Sequence, residues 1–205
     1  MLEPMAVAAH AVRRAVAGKP AESRVLVIGL GTIGLFTAMM LKSLGYNDIY
    51  TVGNKDFQKK ALGNLRIPEE RYIDTRKLGD FLTEDKFDIV FECVGREITY
   101  SQAVEAAAPS GTVMLVGNPA SDMGLSRAVY WKILRNQLTL LGTWNSSYTK
   151  DSDDDWHFVI NLINDGIINP GQFITHRFEL KDLIKGFEIM RDKTENYIKI
   201  MGINP

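Results

Sequence analysis

A glycine-rich turn between an apolar strand and an apolar helix is the part of this sequence whose residue types and spacing indicate chemistry. The turn, Gly29-Leu30-Gly31-Thr32-Ile33-Gly34, directly follows the apolar residues 25–28 and directly precedes the apolar residues 35–44. In such a turn the first glycine permits the bend, the second lets a pyrophosphate approach the backbone, and the third lets the helix pack closely on the strand. The N-terminus of the helix would hold the phosphate. The pattern predicts a dinucleotide site, and a purely structural turn is the weaker alternative.

The end of the next predicted strand indicates which dinucleotide is bound. NAD sites usually carry Asp or Glu there, about 20 residues after the turn, to accept hydrogen bonds from the adenosine ribose. This chain has Gly53, followed by Asn54 and Lys55. A carboxylate that would repel a 2′-phosphate is therefore missing, and an amide and a cation that could bind one are present. The segment favours NADP over NAD, although Lys55 could equally be an ordinary surface lysine.

Three further predicted strands also end in small residues. These ends are Glu92-Cys93-Val94-Gly95, Gly117-Asn118-Pro119 and Gly142-Thr143-Trp144-Asn145. Ligands of parallel α/β sheets lie at the carboxyl ends of the strands, so these segments are candidates to line a cofactor. Each glycine taken alone could simply begin a turn. We interpret Cys93 as a small buried residue, because no histidine or helix N-terminus nearby would lower the pKa of its thiol.

No metal site is predicted within this chain. His10, His157 and His176 lie in three separate elements and have no metal-ligand spacing, so packing or surface roles are favoured. The single cysteine excludes an internal disulfide and a multi-cysteine zinc site. The acidic run at residues 151–155 is interpreted as carboxylates at a helix N-terminus.

The order of predicted elements indicates a doubly wound α/β fold. Helices are expected at residues 4–17, 35–44, 56–64, 99–108 and 127–135, and strands at 25–28, 49–52, 72–74, 87–91, 112–116 and 138–141. The strands are apolar throughout, as in a parallel sheet that is buried on both faces. We assign residues 1–150 to a Rossmann domain. Residues 151–205 form a short C-terminal extension, with helices at 156–164 and 180–191 and strands at 173–178 and 197–201.

Composition excludes two classes of partner. The 205 residues carry 24 Lys and Arg against 25 Asp and Glu, a formal net charge of −1, and the cations are scattered. Without a basic face we expect neither nucleic acid nor an anionic membrane as a partner. Charged residues interrupt the first twenty positions, which therefore lack the pattern of a signal peptide, and we expect a cytoplasmic protein.

Eight segments together resemble one family. Residues 3–7, 25–34, 91–95, 115–119 and 174–178 resemble the cofactor-binding half of the zinc-dependent medium-chain dehydrogenases, in the same order and with the same spacing. Residues 131–137, 142–147 and 191–195 most resemble the polyol dehydrogenases of that family, of the galactitol-1-phosphate and sorbitol types. The resemblance implies hydride transfer between a secondary alcohol and NAD(P).

The resemblance also implies roles for individual residues. Glu3 matches a glutamate that reaches the substrate and the zinc-bound water, although a carboxylate at a helix start is an equally good interpretation. The other implied contacts are with the cofactor. Gly29 would belong to the cofactor-binding turn, and the pyrophosphate would contact Gly31, Thr32, Ile33 and Gly34. The adenosine ribose would contact Gly53, Asn54 and Lys55, and the nicotinamide side would be lined by Val94, Gly95, Val116, Gly117, Asn118, Thr143, Trp144 and Asn145.

In the resembling family a zinc-carrying domain precedes the position of Glu3. We therefore expect this sequence to be the cofactor-binding part of a longer enzyme, inactive on its own, with zinc bound only in the full-length protein. The C-terminal extension would contact that domain, and pairing through the sheet edge would give a homodimer. A non-catalytic NAD(P)-binding sensor is the alternative function. A methyltransferase of similar fold is less favoured, because it too requires an acid at the position of Gly53.

Overall fold

A six-stranded parallel sheet forms the centre of the first of two units into which the chain divides. The computed structural model describes residues 1–78 and 85–204. The first unit is Met1–Ile168 and the second is Asn169–Pro205. In the first unit the strands are β1 (Val25–Ile28), β2 (Ile49–Gly53), β3 (Tyr72–Asp74), β4 (Phe87–Glu92), β5 (Ala107–Leu115) and β6 (Thr139–Gly142). Its helices are α1 (Leu2–Ala15), α2 (Thr32–Ser43), α3 (Asp56–Gly63), α4 (Thr75–Leu78), α5 (Glu97–Ala106), α6 (Arg127–Arg135) and α7 (Asp155–Asn164).

The strand order of this sheet is β3-β2-β1-β4-β5-β6, and every neighbouring pair is parallel. This is the order of the dinucleotide-binding doubly wound fold, whose switch point lies between β1 and β4. The predicted fold class is confirmed. All carboxyl ends of the strands therefore face one edge, where the predicted cofactor residues follow β1, β2, β4, β5 and β6.

The central strands are apolar because the sheet is covered on both faces. All four residues of β1 are buried, and β4 buries five of its six residues. Helix α1 packs against α2 and α7 through a face of small residues, of which Ala8, Ala9 and Ala11 are fully buried. Small side chains let helices approach each other closely, so alanine suits this layer. The edge strand β6 is largely exposed.

The largest difference from the predicted elements is at the start of β5. The sequence predicts a helix to residue 108 and a strand from 112, whereas α5 ends at Ala106 and β5 begins at Ala107 without a loop. Ala107 already pairs with Phe87 of β4, and a register shift separates this pair from the Ile89–Thr112 pair. Pairing with β4 thus extends the strand into residues whose own propensity indicates helix or turn.

The second unit contains strands β7 (Ile174–Glu179) and β8 (Lys199–Ile203), which pair in parallel, and helix α8 (Leu183–Asp192), which connects them. Short 3-10 helices cover Pro170–Phe173 and Leu180–Asp182. The predicted boundary lies at residue 150, whereas the contacts divide the chain after Ile168, because α7 packs on α1. Among the described residues, no helix combines the length and hydropathy that a membrane crossing needs.

Candidate functional site

The three glycines of the turn after β1 have different surroundings. Gly29 has a φ of +92°, a left-handed conformation that favours glycine, and its amide donates to the carbonyl of Val52 (2.9 Å). A Cβ on Gly34 would overlap the carbonyl oxygen of Gly29, so Gly34 allows helix α2 to pack on the turn. A Cβ on Gly31 would meet no atom within 4 Å. Gly31 therefore faces open space at the N-terminus of α2, where the sequence pattern predicts a pyrophosphate.

A buried carboxylate shapes the loop after β4. Glu92, only 2% exposed, accepts hydrogen bonds from the amides of Val94 (2.9 Å) and Gly95 (2.9 Å) and from the Thr99 hydroxyl (2.7 Å). The loop turns through Gly95 at a φ of +80°. Sequence reasoning assigned no role to Glu92, although an acid at the end of an apolar strand, three residues before a glycine, is a usable signal for a loop-closing carboxylate.

The thiol of Cys93 is not an activated nucleophile. Burial and the neighbouring Glu92 carboxylate raise the pKa of Cys93 to about 12, and the Thr37 hydroxyl only partly offsets them. The thiol is protonated at neutral pH. The sequence interpreted Cys93 as a small buried residue with an unactivated thiol; the raised pKa fits an unactivated thiol, but the residue is half-buried rather than buried.

A cavity of about 460 Å³ opens at the carboxyl ends of β4, β5 and β6. Its lining is Glu92, Tyr100, Leu115, Val116, Gly117, Asn118, Pro119, Met123, Gly124, Leu125, Gly142, Thr143 and Trp144. Within the described part of the chain, the Thr143 hydroxyl oxygen is buried without a hydrogen-bond partner. An unsatisfied buried hydroxyl is costly, so a polar ligand group that reached Thr143 would gain a hydrogen bond.

The end of β2 is filled by a tyrosine. The Tyr72 hydroxyl accepts from the Lys55 amide (3.1 Å), and a Cβ built on Gly53 would lie 2.9 Å from that same hydroxyl oxygen. Asn54 and Lys55 are exposed, and the Lys55 ammonium lies 5.5 Å from the centre of the Phe57 ring. A side chain at Gly53 would therefore have to displace the Tyr72 ring, a constraint that the sequence pattern alone does not reveal.

A second cation lies beside this strand end. Arg76 forms ion pairs of 2.6 Å with both Asp56 and Asp74, and Asp74 pairs with Gly53 across β2 and β3. The hydrogen bond from Arg76 lowers the pKa of Asp74 to about 2. The surroundings of Gly53 thus contain two cations, Lys55 and Arg76, and two carboxylates. Sequence reasoning missed Arg76, because it lies 23 positions after Gly53 and approaches only through the β2–β3 pairing.

Most predicted cofactor residues lie at the carboxyl edge of the sheet. Val116, Gly117, Asn118, Thr143 and Trp144 line the cavity. A Cβ on Gly29 would overlap Val94, and a Cβ on Gly95 would lie 2.5 Å from the carbonyl oxygen of Asn118, so the glycine turn, the β4 loop and the β5 loop are in contact.

Two predicted residues have other surroundings. Asn145, next to Trp144, is exposed with a φ of +62°. Glu3 is exposed in the first turn of α1, an element that contributes no residue to the cavity lining.

The histidines pair with carboxylates. His10 contacts Asp155 (2.7 Å), His157 contacts Asp154 (2.9 Å) and His176 contacts Glu195 (3.3 Å). Within residues 1–78 and 85–204, no group of three or more His, Cys, Asp or Glu side chains could hold a metal ion.

Comparison with known proteins identifies the family. Residues 1–200 match the family described as "Glucose dehydrogenase C-terminus". The chain belongs to this family. It is 27% identical over 180 residues to galactitol 1-phosphate 5-dehydrogenase of Escherichia coli (86% of this chain, 51% of the relative), and 26% identical over 197 residues to sorbitol dehydrogenase 1 of Saccharomyces cerevisiae (91% and 52%). A solved Sinorhizobium meliloti protein bound to NADP superposes with a TM-score of 0.81 at 20% identity (98% of this chain, 58% of that chain).

These matches confirm the resemblance to galactitol-1-phosphate and sorbitol dehydrogenases. The chain spans about half the length of these curated relatives. The structural match shows that the doubly wound fold is shared.

Proposed function

We propose that this chain binds a nicotinamide dinucleotide and serves as the cofactor-binding half of a zinc-dependent polyol or polyol-phosphate dehydrogenase. The observation that carries the proposal is the open space in front of Gly31, at the N-terminus of α2, on the same sheet edge as the cavity. The family membership and the dehydrogenase relatives support it.

The glycine turn would bind the pyrophosphate. The amides of the first turn of the 12-residue helix α2 lie at the positive end of the helix dipole, which favours an anion. Helix α2 has no acidic residue in its first turn, so no carboxylate of that turn competes with the phosphates. Gly31 would leave room for close approach, with Thr32 and Ile33 beside the anion.

The cavity would bind the nicotinamide. The Thr143 hydroxyl would bond the carboxamide, and Leu115, Val116 and Trp144 would cover the ring and exclude water. A bound dinucleotide supplies a hydride-accepting carbon to the reaction. The residues of this chain orient that ring through the loops after β4, β5 and β6, with Glu92 holding the first of these loops.

We propose NADP as the preferred cofactor. The last residue of β2 is Gly53 rather than an acid, and Lys55 and Arg76 supply cations near it, beside the carboxylates of Asp56 and Asp74. Arg76 is already paired with two carboxylates, so the exposed Lys55 is the side chain better placed to meet a 2′-phosphate. NAD binding remains the alternative that a titration decides.

Substrate and metal contacts of the whole protein are likewise proposals. The described residues do not supply a zinc site, so zinc would be held outside them, with Glu3 near the substrate or the metal-bound water as the family resemblance implies. On this proposal the chain alone binds dinucleotide and does not oxidise polyols. A cytoplasmic location stays a prediction from sequence.

The exposed edge of the sheet supports pairing of two copies. Strand β6 presents Leu140 at 36% exposure, and α6 exposes Tyr130, Trp131 and Leu134 at 46–58%. Exposed apolar groups beside an unpaired strand edge are typical of an interface. Analytical ultracentrifugation is expected to show a homodimer that Leu140→Lys shifts to monomer, and a wild-type monomer would contradict the proposal.

Calorimetric titration with NADPH and NADH tests the cofactor proposal. We expect one dinucleotide per chain, tighter binding of NADPH, and no turnover of sorbitol or galactitol 1-phosphate. Failure of both dinucleotides to bind would refute it. Tightly bound stoichiometric zinc, or turnover above background, would refute the assignment of metal and catalysis to residues outside those described.

A further inference from the structure

A buried carboxylate of α7 joins α1 to the loop after β6. Asp155 is 2% exposed, and its carboxylate contacts His10 (2.7 Å) and Arg13 (3.0 Å) of α1. The same carboxylate accepts hydrogen bonds from the amide and the hydroxyl of Ser147, each at 2.8 Å. Although burial acts to raise the pKa of Asp155, the Ser147 and His10 contacts lower it, so Asp155 is ionised at neutral pH. We call the four residues His10, Arg13, Ser147 and Asp155 the Asp155 cluster.

Neighbouring contacts hold the same loop at further points. Arg14 of α1 donates to the carbonyl of Gly142 (2.7 Å), where the loop begins. The Trp156 indole donates to the Ser146 hydroxyl (3.0 Å), and the Asp154 carboxylate accepts from the Thr149 amide (3.0 Å). Residues 142–149 are therefore anchored at both ends to α1 and α7.

The anchored loop carries three residues of the cavity lining, Gly142, Thr143 and Trp144. Thr143 and Trp144 lie between the anchor at Gly142 and the anchors at Ser146 and Ser147. Trp144 is 77% exposed, so packing of its own side chain contributes little to its position. Asn145 adopts a left-handed conformation (φ +62°), which asparagine tolerates, so this residue turns the loop between Trp144 and the anchor at Ser146. Ser147, which donates to Asp155, follows two residues later.

We propose that Asp155 is a positioning residue for the nicotinamide half of the site. It touches no cavity residue directly and acts through Ser147 on the segment that carries Thr143 and Trp144. This inference rests on the proposed function, because it assumes that the cavity binds nicotinamide. Among the described residues, the hydrogen bonds and ion pairs of Asp155 go to α1 and to Ser147 and none goes to the glycine turn, so loss of the carboxylate should weaken contacts of the nicotinamide and leave contacts of the adenosine diphosphate unchanged.

The test compares a whole dinucleotide with its adenine half. The probes are NADPH with 2′,5′-ADP, and NADH with ADP, each titrated calorimetrically into wild type, Asp155→Asn and Asp153→Asn. Asp153 is the matched control, because it also pairs with Arg13 (2.9 Å) but its side chain is 91% exposed. Exposed ion pairs contribute little, whereas buried ones are costly to break.

For Asp155→Asn we expect Kd for the dinucleotide to rise about tenfold or more, the equivalent of one well-placed hydrogen bond. Kd for the adenine half should change less than about twofold, and Asp153→Asn should change neither by more than that. Circular dichroism checks folding. If Asp155→Asn does not fold, Ser147→Ala takes its place, because it removes one of the hydrogen bonds to Asp155. Ser147→Ala is expected to raise Kd for the dinucleotide by about threefold or more and to leave Kd for the adenine half unchanged.

Three results would overturn the inference. The folded variant could bind the dinucleotide as wild type does, or lose affinity for the dinucleotide and the adenine half equally, and either result would show that Asp155 has no selective effect on the nicotinamide half. Wild type could bind neither probe, which would refute the proposed function and the inference that rests on it. The first two results leave the proposed function intact, so the two failures are distinguishable.

Discussion

Replacing Gly31 tests whether this glycine serves ligand binding or the stability of the fold. Gly31 is the N-cap of α2 with φ of −71° and ψ of −170°, an extended conformation that any residue adopts. Threonine and glycine are comparable N-caps, and a side chain at Gly31 would enter open space. We therefore expect Gly31→Thr to change the free energy of unfolding by less than about 0.5 kcal/mol.

The same side chain would occupy the space that the pyrophosphate needs. If it displaces two charge-assisted hydrogen bonds of about 1.5–3 kcal/mol each, the loss is about 3–6 kcal/mol. That loss corresponds to an increase in Kd of roughly a hundredfold to ten-thousandfold. Substitution of Gly34, in the same turn, should instead affect the stability of the fold. Because a Cβ there would overlap Gly29, Gly34→Ala is expected to destabilise the fold by about 1–3 kcal/mol.

Calorimetry with NADPH and urea unfolding of each variant measure the two effects. Gly63→Thr is the control, because Gly63, the last residue of α3, also faces open space and lies outside the glycine turn. We expect its Kd to equal that of wild type. Wild-type affinity in a folded Gly31→Thr variant would refute the reasoning, since the open space would then serve no ligand.

Three further predictions concern the rest of the site and the fold. Gly53→Asp with Tyr72→Leu, which removes the phenol in its way, should shift the ratio of NADPH to NADH affinity toward NADH by about tenfold or more, and an unchanged ratio in titrations would contradict it. Glu92→Gln should lower the free energy of unfolding by about 1–3 kcal/mol in urea titrations, because the bonds from the Val94 and Gly95 amides lose their negatively charged acceptor and the second acceptor oxygen of Glu92, which Gly95 also contacts, becomes an NH2 donor, and a wild-type midpoint would contradict it. Burial acts to raise the pKa of Asp154, but hydrogen bonds from His157 and Thr149 lower it to about 2, below the unfolded value of about 3.9. Its stabilising contribution is therefore complete above about pH 5 and is lost as the pH falls toward 2, so thermal unfolding midpoints should fall over that range, and more shallowly in Asp154→Asn, which keeps an N-cap.

Patterns local in sequence predicted the order of elements well. The strand at β3 and the helix at α6 have the predicted bounds, because apolar periodicity and flanking polar residues mark both ends. The glycine turn is likewise local, because six consecutive residues specify the bend of the chain, the open space before α2 and the close packing of α2 on the turn. The predicted start of β5 was wrong, because pairing with β4, a non-local interaction, extends the strand into residues after α5.

The residues that sequence reasoning missed act across large sequence separations. Tyr72 reaches Lys55 from another strand, and Arg76 reaches Asp56 from 20 positions away. Asp155 was interpreted only as a carboxylate at a helix start. Its contact with His10 joins residues 145 positions apart, and its role in the loop after β6 follows from the packing of α1 on α7. One sequence without its fold does not bring such pairs together.

A crystal structure of the chain grown with saturating NADPH tests the central claim most directly. We predict pyrophosphate oxygens about 3 Å from amide nitrogens of the first turn of α2, beside Gly31, and the nicotinamide in the cavity with its carboxamide at Thr143. A dinucleotide bound at another surface, or a glycine turn with no phosphate under these conditions, would contradict the account.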